Sequence, residues 1–294
     1  MNIITQLQGG LGNQLFQYAT ARNLAIQKGV PLLLDSDWYC KIFKDVTPRD
    51  LLLPELNIAE SIVFCNPNIK KPKRLRRISQ KFLPLDPFIF IEKTPYHFDP
   101  FLSHAPAFQR QNLYLMGYWQ SFKYFESIRS MLQNEVTPAA PLSRHYLAYL
   151  EKIEFTNSAM VHVRRGDYFS LATANRVHGI ITLDYYIQGM NLLLNRNQDI
   201  QFFVFSDDLD WAKKNLPHQE RLVFIEPLGT KNSAIQELEL MKHCKNHLIA
   251  NSSLSWWGAW LRKNTDGIVI CPKSWTNDLT MNWNDLLPTI WMRL

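Results

Sequence analysis

Short apolar runs alternate with longer stretches of helical periodicity along most of this chain, and that alternation constrains its fold more than any other feature. Residues 2–8 form an apolar run, and Gly9-Gly10-Leu11-Gly12 supplies a turn. The stretch from Asn13 to Lys28 then places Leu15, Tyr18, Ala21 and Ala25 on one side of a predicted helix. Gly29 and Pro31 end that helix, and Leu32-Leu33-Leu34 reads as the next strand. Strand, helix, strand is a βαβ opening, which implies a parallel sheet.

The alternation lapses between about residue 40 and residue 110, where nine prolines from Pro48 to Pro106 predict loops and short helices. A strand at 113–119 and a helix at 122–133 follow. The Thr137-Pro138-Ala139-Ala140-Pro141 cluster precedes one more helix. From Ser158 the alternation is regular again, with strands at 159–163, 201–205, 221–225, 247–250 and 267–271. The helices between and after them cover 184–195, 208–215, 233–245 and 254–263. Ser233 and Gln236 have the spacing of a capping box. The fold class is therefore α/β, expected as two doubly wound halves facing a cleft. The expected division is an N-terminal domain 1–156, a C-terminal domain 157–274, and a segment 275–294 crossing back to the first.

With 294 residues the chain is long enough to bury a large core without staples. No apolar run approaches the ~20 residues needed to span a bilayer, and the N-terminus has neither the basic start nor the cleavage site of a signal peptide. A cytoplasmic protein is the expectation. The four cysteines (Cys40, Cys65, Cys244 and Cys271) lack metal-site spacing and are expected as reduced thiols. The formal net charge is +6, and Lys70-Lys71-Pro72-Lys73-Arg74-Leu75-Arg76-Arg77 carries six cations in eight positions. That stretch is either a solvated loop face or a patch that attracts an acidic glycan or an anionic membrane surface, such as the inner face of a bacterial membrane. No nucleic-acid-binding motif accompanies it, so nucleic acid is not an expected partner.

Three strand ends carry residues suited to a phosphorylated ligand, because ligands of such sheets sit at the carboxyl ends of the strands. The first is Val161-His162-Val163-Arg164-Arg165-Gly166-Asp167, whose arginines have the planar donors that grip two phosphate oxygens at once. A structural pairing of one arginine with Asp167 is the plainer alternative. The second is Phe205-Ser206-Asp207-Asp208, which could cap the next helix, bind a divalent metal, or accept the N–H edge of guanine. The third is Asn251-Ser252-Ser253-Leu254-Ser255-Trp256-Trp257, a serine-rich helix start whose N–H groups and dipole suit a diphosphate. Trp256, Trp257 and Trp260 recur at helical spacing and are expected in the core. His178, beside Gly179, is a candidate for the acceptor side, and His97, His104, His145, His218, His243 and His247 are taken as structural or surface residues.

The glycine turn at 9–12 begins like a dinucleotide fingerprint, with Asp35 at a suitable distance for a ribose contact. Leu15 stands where the third glycine belongs, so a nucleotide-dependent oxidoreductase is a weak alternative. The turn fits better as a mount for an amide donor at Asn13, directed at phosphate or sugar. No Gly-x-Ser-x-Gly or His-Glu-x-x-His motif is present.

Gly-Gly-Leu-Gly-Asn-Gln, His-Val-Arg-Arg-Gly-Asp, Phe-Ser-Asp-Asp and Asn-Ser-Ser-Leu-Ser-Trp-Trp-Gly-Ala-Trp-Leu, in that order, resemble the bacterial α-1,2-fucosyltransferases of glycosyltransferase family 11. The likeness runs over almost the whole chain. The arginine motif alone is shared with α-1,6- and protein O-fucosyltransferases; the Trp-Trp-Gly-Ala-Trp segment separates this chain from them. The resemblance implies a GT-B-like fold of two Rossmann-like domains, with the C-terminal one holding GDP-β-L-fucose. It implies inverting transfer of fucose to the 2-hydroxyl of a terminal β-galactoside, with no metal or other cofactor. Carried onto this sequence, Arg164 and Arg165 contact the diphosphate and Asn13, Ser252 and Ser253 make secondary donor contacts. Asp207 or Asp208 meets the guanine. His162 and Asp167 are the two candidates for the base that activates the acceptor hydroxyl. A glycan-binding protein without catalysis is a further alternative, weakened by phosphate-type arginines for which a lectin has no use.

Overall fold

A computed structural model describes residues 1–41, 47–59, 61–65, 88–100, 102, 112–165, 179, 181–278 and 281–294. The chain forms two compact units, Met1–Val136 and Thr137–Leu294. Each is built on a sheet in which every paired strand is parallel. This is the α/β class that the alternation predicts.

In the first unit, β1 (Ile3–Gln6) leads through Gly9 and Gly10 into α1 (Leu11–Lys28). The strands β2 (Leu32–Asp35), β3 (Val63–Cys65), β4 (Phe88–Ile91) and β5 (Leu113–Met116) complete a sheet of order β3-β2-β1-β5-β4. Helix α1 starts two residues earlier than predicted, with Gly10 as an extended N-cap. It ends where predicted, on left-handed Gly29, whose N–H closes back on Ile26. The predicted helix at 122–133 resolves into two 3₁₀ turns and the short α2 (Arg129–Glu135). All four cysteines are free thiols.

The second unit opens with α3 (Arg144–Phe155), capped by Ser143. It continues through β6 (Asn157–Val163), α4 (Leu183–Arg196), β7 (Ile200–Ser206), α5 (Leu209–Asn215), β8 (Leu222–Phe224), α6 (Ser233–His243), β9 (Asn246–Leu248), α7 (Ser253–Trp260), β10 (Val269–Cys271) and β11 (Met292–Arg293). The sheet order is β11-β10-β9-β6-β7-β8. β6 is buried along six of its seven residues, which is why it reads as a continuous apolar run. Ala159, Val161 and Val163 share a core with Met190, Phe202, Val204, Leu248 and Ile270.

Two expected boundaries differ. The division falls at Val136, not near 156, and α3 therefore lies in the second unit: Gln236 on α6 accepts the Ser143 N–H at 2.8 Å. That contact also removes the expected capping box. Gln236 faces α3, Asn232 is the N-cap, and the Ser233 hydroxyl accepts the Thr230 N–H instead. The C-terminal segment belongs to the second unit and returns to its sheet, where β11 pairs with β10 through Ile270–Met292 and Cys271–Arg293. Among the described residues no helix is long and apolar enough to cross a membrane.

Candidate active site

In a doubly wound sheet the chain leaves a crevice where consecutive strands diverge to opposite sides, and ligands bind there. In the second sheet β6, β7 and β8 run one way and β9 lies on the other side of β6, so the switch point falls between β6 and β9. Arg164 and Arg165 leave the end of β6, Asp207 and Asp208 that of β7, and Asn251 to Ser253 follow β9. Three motifs widely separated in sequence thus meet at the ends of three adjacent strands, ~5 Å apart.

The acidic pair is engaged by the arginines. Asp207 Oδ1 accepts the main-chain N–H of Arg165 at 2.8 Å, and its Oδ2 stands 3.1 Å from Arg164 Nε. Asp208 Oδ2 lies 3.5 Å from Arg165 Nε, while its Oδ1 accepts the Trp211 N–H at 3.1 Å and caps α5. The Arg165 guanidinium carbon is 3.9 Å from the centre of the Trp211 ring, a cation–π contact. Both carboxylates have protein partners at this junction. The capping alternative holds for Asp208. Trp211 escaped notice in the sequence, although its place three residues after the cap was the available signal.

His162 is 5% exposed, and Phe205 of β7 is its register partner. Burial first, and the charge of Arg164 second, push its imidazole down to about 3. Its Nδ1 is buried with no hydrogen-bond partner among the described residues. Such a ring is a poor proton acceptor at neutral pH. Asp167 and His178 lie outside the described residues, as does the basic stretch 70–77.

On the β9 side, Ser252 is the N-cap of α7 in extended geometry and makes no side-chain capping bond to the helix. Buried Asn251, unremarked beyond its motif, donates through Nδ2 to the carbonyls of Gly179 and Trp275, 3.3 Å each. It pins the residue after His178. Gly179 is left-handed at φ 69°, and a Cβ there would stand 2.2 Å from Asn277 Oδ1. The tryptophans behind the helix start are core, as expected: Trp256 stacks on Trp260 and donates to the Leu286 carbonyl at 2.9 Å. A cavity of about 270 Å³ lies at the opposite end of this sheet, beside Asn157, Ile200 and Gly267, away from these residues.

The first sheet has its own switch point, between β1 and β5. Gly9 is left-handed at φ 80°, and its carbonyl accepts from Tyr39 Oη (2.8 Å) and Gln14 Nε2 (3.1 Å). Asn13 Oδ1 accepts from Gln120 Nε2 at 2.9 Å. Gln120 follows β5 and was not singled out in the sequence. Glu92, just after β4, accepts the Tyr118 and Trp119 N–H groups at 2.7 and 3.1 Å. Burial pushes its carboxyl up to about 7, against the downward pull of those two donors. Asp35 is 1% exposed and takes the Tyr114 hydroxyl and the Asp37 N–H, so it has no ribose-binding geometry.

Residues 2–293 match the sequence model of the family described as glycosyl transferase family 11. The chain is 32% identical to an alpha-1,2-colitosyltransferase of Escherichia coli, over 99% of this chain and 98% of that protein. It is 30% identical to the O-antigen biosynthesis glycosyltransferase WbnK of Escherichia coli, over 92% and 93%. Identity to a galactoside 2-alpha-L-fucosyltransferase of Caenorhabditis elegans is 23%, over 97% and 77%.

Proposed function

Because this chain belongs to glycosyltransferase family 11, we propose that it moves L-fucose from GDP-β-L-fucose to the 2-hydroxyl of a terminal β-galactoside, with inversion. Membership overturns the oxidoreductase alternative, and the burial of Asp35 agrees. The observation that carries the proposal is the junction of Arg164, Arg165 and the α7 start at the switch point of the second sheet. As the C1–O bond of the sugar breaks, GDP gathers negative charge. Fixed donors there stabilise that charge without reorganising, and each is typically worth about 10²–10³ in rate.

Metal independence forms part of the proposal. Asp207 and Asp208, the acidic pair best placed to ligate an ion, are engaged by arginines and a helix cap. Arg164 and Arg165 are assigned to the diphosphate, with Ser252 and Ser253 as further donors. Asp207 and Asp208 position the arginines, and Asn13 supplies a ligand-binding amide. His162 is assigned to packing, so the candidate base is Asp167, by its place two residues beyond Arg165. Contact of residues 70–77 with an anionic membrane completes the proposal.

A second reading has a specific observation in its favour, the 32% identity to an alpha-1,2-colitosyltransferase. Colitose is fucose without its 3-hydroxyl, so both donors offer the same GDP to the second unit. Incubation with GDP-fucose or GDP-colitose and lactose, in excess chelator, tests both. The expected result is GDP release and an α-1,2-fucosylated product at undiminished rate. A product from GDP-colitose alone transfers the assignment to the second donor, and activity abolished by chelator overturns metal independence.

A further inference from the structure

The first unit carries a second set of polar contacts at its own switch point, and their arrangement assigns roles to two residues outside the motifs. Asn13 is the third residue of α1, and its amide has one orientation determined by its neighbours. The oxygen is taken by Gln120 Nε2. The nitrogen lies over Gly9, where a Cβ would come within 2.8 Å of it. Only a glycine leaves that space, and Gly9 is held in its left-handed conformation by Tyr39 and Gln14 on its carbonyl. The result is an amide whose acceptor end is occupied and whose donor end sits beside the glycine turn.

Gln120 is itself held in place. The turn before it runs Gly117-Tyr118-Trp119, with Trp119 left-handed at φ 57°, a conformation that is costly for a bulky side chain. Two things keep it there. Its ring is fully buried against Phe90 and Tyr124. The Glu92 carboxylate takes the N–H groups of both Tyr118 and Trp119. Gly117 is required for that clamp, since a Cβ there would stand 2.4 Å from the Glu92 Cβ. The Gly117 carbonyl is tied to α1 by Gln17 Nε2 at 3.2 Å, and Gln17 Oε1 receives the Gln8 N–H at 2.9 Å. A strained turn over-determined at a switch point is a mark of function, because such strain persists only where surrounding contacts enforce it.

We infer that Gln120 is a positioning residue for the transfer reaction, holding the Asn13 oxygen so that the Asn13 nitrogen is presented as a donor, and that Glu92 locks Gln120 through the amides of Tyr118 and Trp119. This rests on the reading of Asn13 as a ligand-binding amide. A carboxylate at position 120 cannot donate. Asn13 must then turn its nitrogen toward it, which places an acceptor oxygen where the donor stood.

The test uses the full chain with Asn13→Ala, Gln120→Glu, Gln120→Ala, Glu92→Gln and the double variant Asn13→Ala/Gln120→Glu. Donor and acceptor kinetics and an unfolding midpoint are measured for each. Gln120→Glu is expected to lower kcat/KM at least as far as Asn13→Ala, by tenfold or more, with the unfolding midpoint retained. The double variant is expected to be no worse than Asn13→Ala alone, since Gln120 acts only through Asn13. Gln120→Ala, which leaves the amide free to rotate, should lose two- to fivefold. Glu92→Gln should lose three- to tenfold. Wild-type kcat/KM in Asn13→Ala overturns the reading of Asn13. An impaired Asn13→Ala beside unimpaired Gln120 variants, or losses that multiply in the double variant, overturns the positioning inference alone. Should Gln120→Glu not fold, Gln120→Ala and Glu92→Gln decide by the same criteria.

Discussion

Replacing Asp207 by Asn separates the positioning role of this residue from recognition of a base. The side chain keeps its size, and its carbonyl oxygen can still accept the Arg165 N–H, now made at 2.8 Å. The amide nitrogen then meets Arg164 Nε across the 3.1 Å now spanned by an ion pair, a donor against a donor. A hydrogen bond to a charged partner contributes about 1.5–3 kcal/mol. Both side chains are about a fifth to a quarter exposed, so the ion pair itself adds only about 0–1 kcal/mol to folding. The cost should therefore fall on the chemistry: kcat/KM lower by about 10- to 100-fold, with the urea midpoint nearly unchanged. The assay is GDP release with GDP-fucose as donor, repeated with the hypoxanthine analogue of that donor. If Asp207 orients the arginines, both donors lose equally and the preference for guanine is unchanged. A variant that loses only the preference between the two bases would refute the positioning role, as would one with wild-type kcat/KM.

Arg165→Lys should lose at least tenfold in kcat/KM. An ammonium cannot grip two phosphate oxygens at once, nor reproduce the guanidinium contact over the Trp211 ring; near-normal turnover would remove Arg165 from the diphosphate. Glu239 faces Lys242 Nζ at 2.6 Å, His243 Nε2 at 3.1 Å and Lys263 Nζ at 3.2 Å. Its carboxyl is held down to about 2 from 4.5: burial opposes the charge, but the three neighbours outweigh it. For Lys242, burial first and the charge of Lys263 beside it outweigh the pull of Glu239, and its ammonium is shifted down. A depressed carboxyl stabilises the fold above its unfolded value, and the contribution is lost as pH falls from about 4.5 toward 2. The stability gap between wild type and Glu239→Gln, measured by urea unfolding, should be on the order of 3 kcal/mol at pH 6 and shrink toward pH 3; a constant gap would refute the linkage. Gly267→Ala should destabilise by about 1–3 kcal/mol or more, because a Cβ there would lie 1.7 Å from the Lys245 carbonyl oxygen; an unchanged melting temperature would contradict it.

The glycine-turn helix, the buried run of β6 and the tryptophan-rich core of α7 were legible in the chain itself. Their apolar spacing marks each as a buried element, although α1 starts two residues before and α7 stops three residues short of the predicted bounds. The arginine pair was legible from the same pattern: a strand that ends on two arginines presents them at the carboxyl end of the sheet. The sequence also holds Glu92, Trp119 and Gln120, but nothing in their spacing marks them. Glu92 meets Tyr118 and Trp119 across 26 and 27 residues, and Gln120 meets Asn13 across 107. Likewise, nothing in the spacing of Asp207 shows that pairing of β7 beside β6 sets its two oxygens against arginines 164 and 165. Local pattern determines which elements form and what their ends can offer. Which of those offers are already taken is decided only when parallel pairing sets distant strand ends side by side, because a hydrogen bond forms at about 3 Å in space whatever the distance along the chain.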